Sequence, residues 1–312
     1  MKRFVITTIR SLGEAVREFT LDADNNELAL LTPGAHYRWQ MPDGIGARCY
    51  SCVMLELPAT ALTFAVRLSP DSLSSGYLSG LAEGDIVTLE GPFNHFPQLS
   101  APLDGRDIVI AGGIGITPLT GIVTRLVDAG RQPECHYFAS SRSHAAYSDR
   151  LESLTQERFR LHTSEGPRIT IEALLGKLQR NDRIHVCGPA RLLSAVLDYC
   201  DAHDFPRSHL AFEIFNALPT EAETGGYEVE ATETGVRFQV TRGQSLLDAL
   251  EEAGLEPLYD CRRGECGLCA LEVVEGEVEH RDFIMTPQEA ATSRTIYPCV
   301  SRAKGSVLKL AL

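Results

Sequence analysis

Three cysteines lie within nine residues near the C-terminus of this 312-residue chain, in the segment YDCRRGECGLCALEV. They are Cys261, Cys266 and Cys269, and Cys299 follows in the segment IYPCVSR. Four kinds of structure use cysteines at such density: a disulfide framework, a zinc site, a reactive thiol pair and an iron–sulfur cluster. The spacing of the thiols distinguishes among these structures.

Structural zinc is usually bound by two C-x2-C pairs or by a mixture of cysteine and histidine, and these four cysteines contain only one such pair, Cys266 and Cys269. The spacing C-x4-C-x2-C with one distant cysteine is typical of plant-type [2Fe–2S] clusters. Gly264 and Gly267 would let the loop pass close to the cluster and leave backbone N–H groups facing the sulfurs. The sequence therefore predicts a [2Fe–2S] cluster, with zinc as the alternative, held by Cys261, Cys266, Cys269 and Cys299.

Length and charge limit the remaining possibilities. A chain of 312 residues is long enough for two or three domains. Its net charge of −13 argues against a nucleic-acid partner. The N-terminus lacks an apolar signal sequence, and glycine, proline and arginine interrupt the longest apolar stretch, IVIAGGIGITPLTGIVTRLV. We expect a cytoplasmic protein without a membrane span, in which disulfides are unexpected.

The sequence around the cysteine loop predicts a small α+β domain. In the segment GVRFQVTRGQSLLDALEEAGLEPLYDC, Ser245 should cap a helix that ends at Gly254. The segments ALEVVEGEVEH and SVLKLAL are typical of strands. Residues 228–312 resemble a plant-type ferredoxin domain, which has a β-grasp fold, and residues 221–227 are predicted to be a polar linker.

The middle of the chain alternates strands and helices. A strand at 107–111 runs into glycines, and a helix should follow with Thr117 as N-cap, Pro118 at its first position and Gly130 after its last turn. Two further strand–turn–helix units lie in PECHYFASSRSHAAYSDRL and RIHVCGPARLLSAVLDYC. The pattern predicts an α/β domain with a parallel sheet over residues 103–220. Ligands bind such sheets beyond the carboxyl ends of the strands, here at 112–118, 140–143 and 187–189.

The first 102 residues show a different pattern. Short segments such as FVITTIRSL, REFTLDA and LTFAVRLS alternate with turn signals, which predicts an antiparallel β-barrel. Within it stands the segment Arg48-Cys49-Tyr50-Ser51.

The motifs R-x-Y-S, G-G-I-G-I-T-P and C-G-P, followed by a ferredoxin segment, resemble the phthalate dioxygenase reductase family over the whole chain. Its members are reductase components of two-component Rieske oxygenases and belong to the ferredoxin–NADP reductase-like group. The resemblance implies that Arg48 binds the flavin phosphate, that Tyr50 packs on the isoalloxazine, and that Ser51 bonds near its N5. It also implies that Phe215 covers the flavin and that further cofactor contacts come from Arg67, Ser74, Ser75, Gly113, Gly115, Thr117, Pro118, Ser141, Arg142, Cys187, Gly188 and Pro189.

Ser51 and Cys187 are the residues that this resemblance places next to the reacting atoms. The phosphate segment SSGYLS and the segment NHFPQL depart from the family pattern, which blurs the assignment of individual phosphate ligands. The resemblance favours FMN over FAD and NADH over NADPH. Arg142 lies where a 2′-phosphate would need a cation, so NADPH stays open.

Three functional hypotheses follow. The first is a monomeric reductase that passes electrons from NADH through FMN and the cluster to a Rieske oxygenase, such as a demethylase or an aromatic-ring oxygenase. The second is a reductase that serves a cytochrome P450 or a separate ferredoxin. The third is a redox sensor without catalytic function. The histidines are expected to be surface or packing residues.

Overall fold

The computed structural model describes residues 1–42, 44–70, 72–99, 104–215 and 225–312. The chain forms two compact units, Met1–Glu213 and Ile214–Leu312. Among the helices in these ranges, none is both long enough and apolar enough to cross a membrane.

The first unit begins with a six-stranded antiparallel sheet in the order β4-β3-β6-β1-β2-β5. Its edges meet at a bridge between Cys52 and Phe64, which closes the sheet into the predicted barrel. The barrel core packs the aromatic rings of Phe19, Tyr37, Trp39 and Phe64 edge to face. The strands are β1 (Lys2–Ser11), β2 (Val16–Leu21), β3 (His36–Gln40), β4 (Arg48–Ser51), β5 (Leu62–Arg67) and β6 (Ile86–Phe93), and the helices are α1 (Asn25–Ala29) and α2 (Leu73–Gly80).

The same unit continues with a five-stranded sheet in the order β11-β10-β7-β8-β9, whose strands β10, β7, β8 and β9 are parallel. The chain begins at the central strand and builds outward in both directions, so the predicted parallel sheet is doubly wound. The strands are β7 (Asp107–Gly112), β8 (Glu134–Ala139), β9 (Phe159–Thr163), β10 (Arg183–Gly188) and β11 (Leu210–Ile214), and the helices are α3 (Ile116–Asp128), α4 (Ser148–Thr155), α5 (Ile171–Leu175) and α6 (Ala190–Ala202).

Two threonines on α3 join this sheet domain to the barrel. The Thr120 hydroxyl accepts a hydrogen bond from the Met54 backbone N–H at 3.0 Å, and the Thr124 hydroxyl donates to the Met54 carbonyl at 3.2 Å. Both threonines are buried, and residues four apart lie on one face of a helix. The two contacts therefore satisfy the backbone N–H and the backbone carbonyl of the buried Met54 and fix α3 against the barrel.

The second unit holds a five-stranded sheet in the order β13-β12-β18-β14-β16 and a small pair, β15-β17. Strands β12 and β18 are parallel, while β13 and β14 pair with them antiparallel. Ser245 caps α7 as predicted, by accepting a hydrogen bond from the Asp248 N–H at 3.0 Å. The strands are β12 (Tyr227–Ala231), β13 (Arg237–Val240), β14 (Leu271–Glu275), β15 (Val278–Glu279), β16 (Thr295–Ile296), β17 (Arg302–Ala303) and β18 (Val307–Leu310), and the helices are α7 (Leu246–Glu252) and α8 (Pro287–Thr292).

The predicted domain limits fall largely where the structure gives no description. The limit between residues 102 and 103 and positions 221–224 of the predicted linker lie outside the described residues. Tyr227, the last residue of that linker, already belongs to β12. The limits 1–102, 103–220 and 228–312 therefore stay predictions.

The predicted start of α3 is wrong. The helix begins at Ile116 with Gly115 as its N-cap, and a 3₁₀ turn, Gly113–Gly115, precedes it. Thr117 is inside the first turn, and its hydroxyl donates to the Ile114 carbonyl at 3.0 Å. Pro118 is tolerated at the third helical position because no N–H in the first turn has an intrahelical partner. Gly130, with a φ of +74°, follows the last turn as predicted.

Candidate functional site

The barrel brings the predicted flavin-binding residues to the ends of two strands and one helix. Arg48 begins β4, Arg67 ends β5, and Ser74 lies in the first turn of α2. Burial raises the pKa of Tyr50 to about 12, while Ser74 and Arg48 act to lower it. Tyr50 therefore lies close enough to Ser74 for a hydrogen bond and close enough to Arg48 to be affected by its charge. The Tyr50 ring is half-buried and meets Trp39 edge to face, with ring centroids 5.6 Å apart.

The charges around Arg48, Arg67 and Ser74 suit a bound phosphate. Arg48 and Arg67 are exposed, and within the described ranges neither guanidinium forms an ion pair with a carboxylate. The N-terminus of α2 adds backbone N–H groups and a positive dipole end. In a chain with a net charge of −13, these two guanidinium groups and the N-terminus of α2 form a cradle for an anion. Arg48, Arg67 and Ser74 could hold the phosphate of a flavin mononucleotide.

The two predicted serines of α2 have different surroundings. Ser75 is buried, and its hydroxyl accepts a hydrogen bond from the Ser69 N–H at 2.9 Å. Ser74 is half-buried, and its hydroxyl lies 2.8 Å from the hydroxyl of Ser72, the N-cap of the helix. Ser75 therefore supports the turn, whereas Ser74 is the better candidate for direct contact with a ligand.

Ser51 stands in front of a buried acid that the sequence analysis did not identify. Its hydroxyl donates to Glu213 Oε2 at 3.4 Å, and Glu213 is 1% exposed. His36 Nδ1 lies 3.8 Å from Glu213 Oε1, and His36 is also buried. Glu213 therefore orients the Ser51 hydroxyl from a buried position beside His36. The only sequence signal for Glu213 was an acid within the apolar strand LAFEI.

A cavity of about 650 Å³ opens at the carboxyl edge of the parallel sheet. Gly112 lines it at the end of β7 and Gly113 just after it, and Ser140, Ser164 and Pro189 line it after β8, β9 and β10. All of these positions except Ser164 belong to the three turns at which ligand binding was predicted, and binding there stays a prediction. Gly113 has a φ of +54° and nothing within 4 Å of where a Cβ would stand, so its bare backbone faces open space that a dinucleotide could fill.

Close backbone packing explains the other glycines at this edge. A Cβ on Gly115 would lie 2.4 Å from the Cys187 carbonyl oxygen, and one on Gly188 would lie 2.9 Å from Gly112 Cα. Cys187 is fully buried beneath this edge and does not line the cavity wall. Gly115, Cys187 and Gly188 therefore hold the turns together, and their contact with a nucleotide stays a prediction.

Arg142 and Ser141 occupy a short 3₁₀ turn and its N-cap, beside the cavity. The Arg142 guanidinium bonds Asp149 at 2.7 Å and Glu152 at 2.6 Å, both on α4. The Ser141 hydroxyl lies 2.8 Å from His144 Nδ1. The arginines that do line the cavity are Arg67, Arg168 and Arg191, and the last two were not identified from the sequence.

Phe215 belongs to the second unit, so its predicted place over a flavin stays a prediction. It is half-buried. The preceding N–H, of Ile214, donates to Glu265 Oε2 at 2.7 Å, and Glu265 lies in the cysteine loop. The loop thus fixes the chain just before Phe215.

The four predicted cluster ligands come together as two pairs. The sulfurs of Cys269 and Cys299 are 3.4 Å apart, and the thiols of Cys261 and Cys266 interact with each other. Within the described ranges, no three histidine, cysteine or acidic side chains converge as a single metal ion would require. Four thiols in two pairs are a donor set that fits a dinuclear cluster, with one pair for each iron.

The loop backbone also fits a cluster. The Arg263 N–H donates to Cys261 Sγ at 3.3 Å, which is the contact that stabilises thiolate ligands. Gly264 and Gly267 have φ values of +75° and +76°. A Cβ on Gly264 would lie 2.7 Å from Val300 Cγ2 and 3.2 Å from Asp282 Cα. Only glycine lets the loop turn this tightly over the segment that carries Cys299.

Comparisons with known proteins agree with this geometry. Residues 229–304 match the family described as the 2Fe-2S iron-sulfur cluster binding domain. The chain is 34% identical over 289 residues to the phenoxybenzoate dioxygenase subunit beta of Ectopseudomonas oleovorans, which covers 91% of this chain and 89% of that protein.

Two solved structures are similar over the whole chain. One is a phthalate dioxygenase reductase described as modular, for electron transfer from pyridine nucleotides to [2Fe-2S]. It is 26% identical with a TM-score of 0.67, and the match covers 98% of it. The other is an intact type IV self-sufficient cytochrome P450 monooxygenase, which is 31% identical with a TM-score of 0.72, and this chain matches 41% of its length. The barrel, the parallel sheet and the four-cysteine domain thus follow one another as in these oxidoreductases, and the chain belongs to the phthalate dioxygenase reductase family of oxygenase reductases.

Proposed function

We propose that this chain passes electrons from NADH through FMN and a [2Fe–2S] cluster to a Rieske-type oxygenase, such as a demethylase or an aromatic-ring oxygenase. The observation that carries the proposal is the presence, in one chain, of an anion cradle, a dinucleotide-sized cavity and a paired four-thiol donor set. A bound flavin supplies the chemistry that links them, because it exchanges two electrons with a nicotinamide and one with an iron–sulfur centre.

The residues of the chain contribute position and charge. Arg48, Arg67 and Ser74 hold the flavin phosphate, and the half-buried Tyr50 packs on the ring system. Ser51 lies at the reacting edge of the flavin, and the hydrogen bond to Glu213 fixes the orientation of its hydroxyl. The glycine turn at Gly112 and Gly113 and the cavity arginines Arg168 and Arg191 hold the nucleotide diphosphate.

The phosphate cradle favours FMN. Arg48, Arg67 and the N-terminus of α2 together suit one phosphate monoester at the end of the flavin chain. We propose that the protein is a cytoplasmic monomer that contains one FMN.

The purified protein is expected to be red-brown and to release FMN on acid treatment. It should oxidise NADH and support turnover of a Rieske oxygenase. The same assay with a cytochrome P450 and with a separate ferredoxin tests the alternative acceptors, and the similarity to a self-sufficient P450 is the reason to include the first of these. Stoichiometric FAD in the extract would contradict the proposed flavin site.

The surroundings of Arg142 favour NADH over NADPH. This arginine is the cation that a 2′-phosphate would need, but two carboxylates from α4 already hold it. Its neighbours Ser140 and His144 line the cavity, whereas the guanidinium itself is turned toward α4. Binding a 2′-phosphate would require breaking both ion pairs.

Replacing both acids, Asp149→Asn with Glu152→Gln, is expected to lower the KM for NADPH at least threefold and to leave the KM for NADH within twofold of the wild type. The reason is that the released Arg142 can pair with the 2′-phosphate. Steady-state kinetics with both nucleotides measure this. A control with the same charge change, Asp128→Asn with Glu157→Gln, removes two exposed acids elsewhere and should not alter the ratio. If the ratio of the KM values for NADPH and NADH stayed the same in the Asp149→Asn, Glu152→Gln variant, Arg142 would not determine the choice of nucleotide.

A further inference from the structure

A buried carboxylate lies against the cysteine loop although it is not one of the predicted ligands. The side chain of Asp282 is 0% exposed. The next residue, Phe283, donates its N–H to the Gly264 carbonyl at 2.9 Å. A Cβ built on Gly264 would lie 3.2 Å from Asp282 Cα. The backbone of Asp282 therefore packs directly on the loop that carries three of the four thiols.

The Asp282 carboxylate is fixed in place by its partners. Oδ1 accepts hydrogen bonds from the N–H groups of Ile284 at 3.2 Å and Met285 at 3.0 Å. Oδ2 lies 3.5 Å from the Ser301 hydroxyl and 3.6 Å from His280 Nδ1. Ser301 comes two residues after Cys299, so the carboxylate contacts the segment of the fourth ligand, while the backbone of Asp282 packs on the loop of the other three.

The cations of the cysteine loop are matched with other acids. Arg262 bonds Asp248 at 2.7 Å, and Arg263 bonds Glu265 at 2.7 Å. Within the described ranges, Asp282 forms no ion pair with a lysine or an arginine. Its negative charge is thus stabilised mainly by N–H and hydroxyl dipoles and is little compensated by a neighbouring full charge.

We propose that Asp282 sets the reduction potential of the [2Fe–2S] cluster by opposing, through its buried charge, the arrival of an electron. The inference rests on the proposed cluster at the four cysteines. Reduction adds one negative charge to the cluster, and net charge, hydrogen bonds and burial are the factors that determine such potentials. A carboxylate fixed within the protein repels that charge far more strongly than one in water. Asp282 would therefore keep the cluster a stronger reductant for its partner.

The test is a redox titration of the intact holoprotein, with the reduced cluster measured by electron paramagnetic resonance. Asp282→Asn keeps the size of the side chain and an acceptor for both N–H groups; it removes the charge and replaces the oxygen that faces Ser301 with an amide NH2. We expect the equilibrium constant for cluster reduction to rise about tenfold, an upward shift of about 59 mV for a one-electron couple. The matched control, Glu230→Gln, removes a charge from β12, where Glu230 pairs with Arg237, and should leave the potential unchanged.

An unchanged potential in Asp282→Asn would overturn the proposal, and so would an equal shift in the control variant. Should Asp282→Asn fail to retain its cluster, His280→Lys places a fixed positive charge beside the intact carboxylate. A raised potential in that variant supports the proposal, and an unchanged one overturns it. These outcomes are distinct from a failure of the proposed function, which would appear as the absence of a [2Fe–2S] signal in the wild-type protein.

Discussion

Gly264→Ala is expected to reduce the iron and acid-labile sulfide content of the purified protein to less than a tenth of the wild-type value. The added methyl group would lie 2.7 Å from Val300 Cγ2, a distance that real side chains do not show. Val300 is β-branched and cannot rotate away easily, and it follows Cys299 directly. The clash therefore moves a ligand segment away from the loop. Metal analysis and visible absorbance measure the result.

A matched control separates this clash from backbone strain. Gly254 has a φ of +78°, close to the +75° of Gly264, but no atom lies within 4 Å of its Cβ position. Gly254→Ala should cost about 1–2 kcal/mol of stability, because alanine is strained in this region, and should keep a full cluster. Equal cluster loss in both variants would mean that positive φ, and not the close approach to Val300, is what the loop requires of Gly264.

Asp107→Ala is expected to destabilise the first unit by about 3–5 kcal/mol, which is the usual cost of removing one partner from a buried ion pair. Asp107 begins β7 and is 2% exposed. Arg183, at the matching position of β10, bonds it at 2.8 Å, and Arg131 bonds its other oxygen. The substitution would leave the buried Arg183 without this carboxylate. Asp107 lies at the amino end of β7, and the nucleotide cavity lies at the opposite, carboxyl edge of the sheet.

Urea unfolding followed by the fluorescence of Trp39 measures this effect, since Trp39 is the single tryptophan and lies in the first unit. The control is Asp149→Ala, which breaks a pair whose acid is 87% exposed. Exposed pairs contribute about 0–1 kcal/mol, so the control should be close to the wild type. If Asp107→Ala lowered the free energy of unfolding only as little as the control does, the buried ion pair would not stabilise the first unit as proposed.

The same residue predicts a pH dependence. Burial acts to raise the pKa of Asp107, but His185, Arg183 and Arg131 together lower it to about 2, from an ordinary value of 3.8. A carboxyl group whose pKa is lower in the folded state stabilises the protein above its unfolded pKa and loses that contribution as the pH falls through its folded pKa. The free energy of unfolding of the wild type should therefore fall by about 2 kcal/mol between pH 4 and pH 2 because of Asp107. Asp107→Asn should not show this part of the pH dependence.

The features that sequence reasoning identified are local ones. The C-x4-C-x2-C spacing, the two loop glycines and the Ser245 cap each depend on residues within one short segment, so their chemistry can be derived from their order. The barrel and the parallel sheet could be predicted because strand alternation and the strand–helix pattern are also local.

What the sequence missed depends on contacts between distant segments. Glu213 meets Ser51 across 162 positions, and nothing in either segment alone indicates the other. Arg168 and Arg191 reach the cavity from a loop and a helix whose orientation only the folded sheet determines. The error at Thr117 has a different cause, because a 3₁₀ turn extended the helical path by one turn and left the predicted N-cap inside the helix.

The central claim is that electrons from NADH leave this protein through the cluster at the four cysteines. Comparing the intact protein with Cys299→Ser, in the same preparation of a Rieske oxygenase, tests it most directly. Ferricyanide can accept electrons from the flavin itself, so NADH-dependent ferricyanide reduction should stay within twofold of the wild type. NADH-dependent oxygenase turnover should fall to the level measured without the reductase. Full oxygenase turnover by a Cys299→Ser protein shown to lack its cluster would contradict the account, because electrons would then reach the partner by another route.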